Sequence, residues 1–160
     1  MSDIASPADG AAWSFAYGSN MASRLLREYC PSARILMRAT LPNFQIEFRR
    51  YSEDFVGGIS TIMPAPGGLV RGIVFEFPSA ELATLDEYED VDKGHYLRES
   101  FIVLGEDGAW CRADLYRVAR PEGPFPPSAR YLDIMLEGAA EQGLPADYIT
   151  GLEALRDDRS

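Results

Sequence analysis

A short corner near the amino end constrains the fold most, because an apolar run stops there at Gly18 and a helical pattern begins soon afterwards. The apolar side chains before the corner alternate as in a half-buried strand and belong to Trp13, Phe15 and Tyr17. The helical stripe lies behind Ser23 and is formed by Leu25, Leu26 and Tyr29. The sequence therefore predicts a strand, a tight turn and a helix start, with close approach to the backbone allowed at Gly18.

The backbone amides of this turn, at Gly18-Ser19-Asn20, are candidates for holding a ligand. N–H groups at a helix start lack intrahelical partners, so they can converge on a carboxylate or on the oxyanion of an acyl-transfer transition state. Many corners of this kind only change the direction of the chain, and the turn alone leaves that interpretation open.

A second helix is predicted to begin at Ser79, which would be its N-cap, with Glu81 in the first turn. Leu82, Leu85 and Glu89 follow at positions i, i+3 and i+7 and therefore share one face. A carboxylate on an apolar face loses solvation of its charged form, which raises its pKa and prepares it for proton transfer. The spacing leaves an alternative open, in which this carboxylate lies at the helix end and reaches water or an arginine.

Other polar residues nearby are interpreted as structural. Asp86, Glu87 and Asp90 point away from the apolar face and are predicted to form an ordinary solvated surface. His95 is interpreted as a surface or turn residue rather than as a member of a catalytic triad. Tyr116 lies in an alternating strand pattern, which favours a place in the core.

Charge and composition exclude several classes of function. The 160 residues contain 15 Lys and Arg against 25 Asp and Glu, and the formal net charge of -10 argues against a nucleic-acid-binding protein. Cys30 and Cys111 lack the spacing of metal ligands, so no metal is expected. No apolar run is long enough to span a bilayer, and no secretory leader begins the sequence. We therefore expect a soluble, cytoplasmic protein that acts without nucleic acid or membrane.

The pattern along the chain predicts a flexible tail at residues 1–11 and a single domain at residues 12–160. The β-like runs lie at residues 34–39, 44–48, 58–63, 70–77, 96–104 and 110–118. Turn-forming residues at 64–68 and 105–108 are typical of connections between antiparallel neighbours. Helices are predicted over residues 128–142 and after Pro145. The predicted fold class is mixed α/β of the α+β kind, a small curved sheet or barrel with flanking helices.

Several motifs, in this order and spacing, resemble the γ-glutamylcyclotransferase family, which belongs to the AIG2-like superfamily. They are Tyr-Gly-Ser-Asn-Met at 17–21, Leu-Asp-Glu-Tyr-Glu-Asp-Val at 85–91, Gly-His-Tyr at 94–96, Pro-Ser-Ala-Arg-Tyr at 127–131, Gly-Ala at 138–139 and Gly-Leu-Pro-Ala-Asp-Tyr at 143–148. The resemblance covers residues 13–156 and implies the fold of that family.

The resemblance also implies a reaction. The α-amine of a small γ-glutamyl substrate would attack its own γ-carbonyl, releasing 5-oxoproline and an amino acid or amine, with Glu89 as general acid/base and no cofactor. The residues implied to bind substrate are Tyr17, Gly18, Ser19, Asn20, Tyr96 and Tyr131. For the tyrosines among them, simple core packing is the alternative.

Two other functions stay open at this point. One is a deacylase that removes a γ-glutamyl group from a biosynthetic intermediate, and the other is a non-catalytic small-molecule binding module on the same fold. A homodimer is also left open.

The sequence departs from the family pattern at two positions. Asp90 stands where a glycine often follows the catalytic glutamate, and Tyr88 occupies a position that is commonly smaller or polar. The charge of Asp90 is expected to raise the pKa of Glu89 further or to repel a second carboxylate on the substrate.

Overall fold

The strands of the protein close into a barrel in the spatial order β1-β3-β2-β4-β5. The structure is a computed structural model and describes residues 3–156. Residues 1–2 of the predicted tail and residues 157–160 of the predicted domain lie outside the described residues. The strands are β1 (Ala11–Ala16), β2 (Arg34–Ser52), β3 (Gly57–Pro78), β4 (Tyr96–Gly105) and β5 (Trp110–Val118). All pairs are antiparallel except β1 with β5, which meet in parallel at Ser14 and Asp114.

The helices flank this barrel, which confirms the predicted α+β class and architecture. They are α1 (Ser23–Leu26), α2 (Leu82–Tyr88), α3 (Ala129–Glu141) and α4 (Ala146–Glu153). Short 3-10 turns cover Ser19–Met21 and Ser79–Glu81. Ser128 caps α3, because its hydroxyl accepts a hydrogen bond from the Tyr131 amide at 3.2 Å. The prediction of Ser79 as an N-cap is wrong, since Ser79 opens a 3-10 turn and its side chain caps no amide.

Two clusters of buried side chains form the core. One draws on all the strands and fills the barrel, with Phe15 and Val74 among its members. The other lies between the barrel and the helices and includes Phe75, Leu85 and Leu132. Because successive side chains of β3 alternate between the two clusters, this strand is buried on both faces.

Residues 64–68 lie within β3, so the prediction that they connect two neighbouring strands is wrong. Phe44 pairs with Pro64, and the pairing then jumps to Leu69, so the residues between form a bulge. Asn43 lies opposite with a φ of 68°, and its side chain accepts a hydrogen bond from the Gly67 amide at 3.0 Å. The bulge explains why turn-forming residues appear here without a change of chain direction.

Because the chain does not turn at this bulge, each of the two long strands contains two of the predicted β-like runs. Those at 34–39 and 44–48 are parts of β2, and those at 58–63 and 70–77 are parts of β3. The turn at 105–108 does join antiparallel neighbours, β4 and β5, as predicted.

Backbone hydrogen bonds hold part of the predicted tail. The Ala5 amide donates to the Trp110 carbonyl at 3.0 Å, and the Ala5 carbonyl accepts from the Arg112 amide at 2.8 Å. β1 begins at Ala11, the last residue of the predicted tail. The flexibility of residues 1–11 stays a prediction.

Helix α3 lies directly against the corner that follows β1. A Cβ on Gly138 would lie 2.5 Å from both the Ala22 nitrogen and the Met21 carbonyl carbon. Since these are backbone atoms, they have little freedom to move aside. Glycine at this position therefore sets the distance between α3 and the corner.

A pair of helix glycines tests this contact. Gly138→Ala is expected to lower the free energy of unfolding by about 1–3 kcal/mol, the usual effect of forcing extra volume into a packed contact. Gly151→Ala is the matched control, because its Cβ would meet nothing within 4 Å. That variant should gain roughly 0.5–1 kcal/mol from the better helix propensity of alanine. Urea unfolding measures both changes, and equal stability of the two variants would contradict the contact.

Candidate active site

A cavity of about 420 Å³ opens beside the corner after β1. Its walls come from the corner, the end of α2, the start of β4, α3 and the end of the β2–β3 hairpin. The structure brings together around it the predicted site residues Tyr17, Gly18, Ser19, Asn20, Glu89, Tyr96 and Tyr131. The cavity thus unites sequence segments as far apart as residues 17 and 131, while the role of each residue stays a prediction.

Gly18 is held between β3 and α3. A Cβ at this position would collide with the Ser60 hydroxyl and lie 3.3 Å from the Tyr131 hydroxyl oxygen. The amides of Gly18, Ser19 and Asn20 donate to no other group in the part of the chain that the structure describes. The turn therefore presents unused N–H groups beside the cavity.

Glu89 lies at the carboxyl end of α2, where its amide donates to the Leu85 carbonyl at 3.0 Å. Its side chain is partly buried and forms no ion pair within residues 3–156. Loss of solvation raises the pKa of Glu89 to about 7; a hydrogen bond from Asn20 lowers it, and the charges of Asp90 and Asp86 raise it. The Asn20 bond joins Nδ2 to Glu89 Oε1 at 3.2 Å. Glu89 therefore changes protonation state near neutral pH, as the apolar-face interpretation predicts.

Asp90 forms a tight turn after Glu89, and its side chain is partly exposed to solvent. Its φ is 52°, a left-handed conformation that aspartate tolerates better than most residues. Its carboxylate lies 3.3 Å from His95 Nδ1 and 3.5 Å from Lys93 Nζ. Glycine also adopts this conformation readily, and the charge of Asp90 raises the pKa of Glu89 as expected.

The prediction that Asp86 is an ordinary solvated surface residue is wrong. Its carboxylate accepts hydrogen bonds from Arg98 at 2.8 and 3.1 Å and from the Tyr116 hydroxyl at 2.6 Å. These partners lie on β4 and β5, so the carboxylate ties α2 to the barrel. Tyr116 is buried, as predicted, and also lines the cavity.

The three predicted tyrosines are all buried, and two of them use their hydroxyl protons within the protein. Tyr17 donates to the Tyr116 carbonyl, and Tyr96 donates to the Ser60 carbonyl at 2.7 Å. Tyr131 accepts a hydrogen bond from the Ser60 amide at 3.1 Å, and the Ser60 hydroxyl lies 2.7 Å away. Because a phenol has one proton, the Tyr131 hydroxyl can still donate a hydrogen bond when Ser60 donates to it.

Sequence reasoning missed part of the cavity wall. Ser60, Arg50 and Phe55 line it from the β2–β3 hairpin. None stands in a recognisable motif, and only the pairing of two distant segments brings them to the site. His95 lies in the turn before β4, as predicted, and lines the cavity as well.

Two structural observations bear on metals and membranes. Within residues 3–156, no group of three His, Cys, Asp or Glu side chains is placed to hold a metal ion. None of the helices described above combines the length and apolar character needed to cross a membrane.

Comparison with known proteins identifies the family. The profile of the AIG2-like family matches residues 69–152. Human γ-glutamylcyclotransferase is 33% identical over 157 residues, which cover 96% of this chain and 83% of the human protein. The mouse γ-glutamylcyclotransferase is 34% identical over 145 residues, covering 88% and 77%.

A solved structure of a γ-glutamyl cyclotransferase agrees in fold. It superposes with a TM-score of 0.88 at 32% identity, and the aligned region covers 92% of this chain and 90% of the solved chain. The chain therefore belongs to the γ-glutamylcyclotransferase family, within the AIG2-like group.

The packing around Gly18 is testable by second-site suppression. Gly18→Ala is expected to lower the free energy of unfolding by about 1–3 kcal/mol, because its methyl group meets the Ser60 hydroxyl. Ser60→Ala removes that oxygen and leaves the Tyr131 hydroxyl oxygen at 3.3 Å and the Cβ of residue 60 at 3.5 Å. The double variant should therefore lose less stability than the two single variants together, as measured by urea unfolding. Strict additivity would show that the clash does not exist.

The groups around Glu89 predict that two substitutions shift its pKa in opposite directions. Asp90→Asn keeps a residue that tolerates positive φ but removes a charge, so it should lower the pKa of Glu89. Asn20→Ala removes the hydrogen bond to the carboxylate and should raise this pKa above about 7. Titration of the ¹³C-labelled carboxyl signal, assigned with Glu89→Gln, measures both values. Shifts in the same direction would contradict these causes.

Proposed function

We propose that this protein is a γ-glutamylcyclotransferase that converts a small γ-glutamyl amino acid or amine into 5-oxoproline and the free amino acid or amine. The observation that carries the proposal is a carboxylate with a pKa of about 7 in the same cavity as a turn with unused amides. These are the two groups that an intramolecular acyl transfer needs.

The proposed reaction uses Glu89 as a proton carrier. The ionised carboxylate accepts a proton from the substrate's α-amine as that nitrogen bonds to the γ-carbonyl carbon. The carbonyl oxygen becomes negatively charged and faces the amides of Gly18 and Ser19. The γ-amide bond then breaks, and Glu89 returns the proton to the leaving nitrogen, so that the carboxylate is restored.

Positioning supplies the remaining advantage. The nucleophile and the carbonyl belong to one molecule, and attack closes a five-membered ring. Effective molarities of well-oriented intramolecular reactions reach about 10⁵–10⁸ M. A folded-back γ-glutamyl group held by Tyr17, Asn20, Tyr96 and Tyr131 would therefore react without a nucleophilic side chain from the protein.

Glu89→Gln is the direct test. Glutamine keeps the shape of the side chain but cannot carry a proton, so turnover should fall by about 10²–10⁴-fold while ligand affinity is kept. In the wild type, kcat/KM should rise as the pH increases through about 7, because the carboxylate acts as the base in its ionised form. Release of 5-oxoproline from a panel of γ-glutamyl amino acids and amines measures both. Unchanged turnover in the variant would overturn the role of Glu89.

One prediction about the cellular context belongs with this proposal. We propose the cytoplasm as the compartment, and both buried cysteines, Cys30 and Cys111, are free thiols, as is usual in reducing compartments. The proposed mechanism needs only the residues of one chain, so it applies equally to a monomer and to a homodimer.

A further inference from the structure

Arg50 is a charged residue of the cavity wall that the proposed reaction does not use. It lies near the end of β2 and is partly buried. Its charge reaches the cavity, because it acts to lower the pKa of Tyr96 against the larger effect of burial, which raises it. Among the cavity-lining residues within 3–156, it is the only arginine or lysine.

The side chain of Arg50 has no partner among the residues that the structure describes. Within residues 3–156 it forms neither an ion pair nor a hydrogen bond. The preceding residue differs, since Arg49 donates to Glu47 at 2.6 Å and to the Gly123 carbonyl at 3.1 Å and does not line the cavity. Two adjacent arginines therefore have different environments, one satisfied by the protein and one facing the cavity.

An irregularity in the sheet accounts for this difference. Phe48 pairs with Ser60 but Arg50 pairs with Ile59, so Arg49 is an extra residue in β2. A bulge of this kind redirects the side chains that follow it. Arg50 is thereby placed opposite Ile59, beside the Ser60 that contacts the corner.

Acidic groups near the cavity do not neutralise Arg50. Glu53 and Asp54 line the mouth, but both are exposed and neither forms an ion pair with it. Asp90 is already close to Lys93 and His95. A partly buried guanidinium without a partner inside a substrate cavity fits a carboxylate, which it binds through two parallel hydrogen bonds.

We propose that Arg50 binds the carboxylate of the leaving amino acid and so selects γ-glutamyl amino acids over γ-glutamyl amines. This inference rests on the proposed function. The turn amides face the oxyanion and the substrate's α-carboxylate, and Glu89 serves the two nitrogens. Only a γ-glutamyl amino acid brings a second carboxylate, and Arg50 is the cation left to bind it.

The test compares two substrates that differ by one carboxylate, γ-glutamylalanine and γ-glutamylethylamine. In the wild type, kcat/KM should favour γ-glutamylalanine. Arg50→Met should reduce this preference about 10–100-fold, the usual effect of losing a hydrogen-bonded charge partner. Arg50→Lys keeps the charge and should restore part of it. Arg49→Met is the matched control and should leave the ratio unchanged.

The outcomes separate this inference from the proposed reaction. Equal losses on both substrates in Arg50→Met would place Arg50 at the shared glutamyl end and overturn the inference, as would an unchanged ratio. Affinities of both compounds for Glu89→Gln, with and without Arg50→Met, give the same ratio without turnover. Failure of the wild type to release 5-oxoproline from either compound would overturn the proposed reaction, while the affinity ratio would still decide the role of Arg50.

Discussion

The cavity depends on the close packing of α3 against the backbone of the corner. Gly138 brings the helix axis near because it has no side chain. From the same helix, the Glu141 carboxylate accepts hydrogen bonds from the amide and the hydroxyl of Ser23. At the other end of α3, the Tyr131 hydroxyl meets Ser60 of β3. Helix α3 therefore fixes the position of two walls of the cavity. It also holds the turn amides in place relative to the barrel.

Burial of the Glu89 carboxylate lowers the stability of the fold when the carboxylate is ionised. Folding raises its pKa from the ordinary 4.5 to about 7, mainly through loss of solvation. Between these pH values the folded protein holds a proton that the unfolded chain has released, so this group's contribution to stability falls as the pH rises. Above pH 7 the ionised carboxylate opposes folding. Leu85, fully buried on the same helix face, is among the contacts that hold the helix in place despite this.

Local sequence patterns account for the parts of the candidate site that could be predicted from the sequence. The corner at Gly18 and the helix face of Glu89 each depend on residues close together in the chain, so both were accessible to periodicity and motif reasoning. Arg50 and Ser60 depend on strand pairing and on a bulge, which no local pattern encodes. Asp86 resembles any exposed acidic residue until Arg98 and Tyr116 are brought to it by two distant strands.

The barrel closes at the seam between β1 and β5, which has fewer paired positions than any other pair of neighbouring strands. These strands share one paired position, Ser14 with Asp114, whereas β1 pairs with β3 at six. Just beyond that position, the Tyr17 hydroxyl reaches across the seam to the Tyr116 carbonyl. Because Tyr17 also lines the cavity, the same side chain contributes to the cavity wall and to the bonding across the seam. A substitution of this one side chain would therefore alter the cavity wall and the closure of the barrel together.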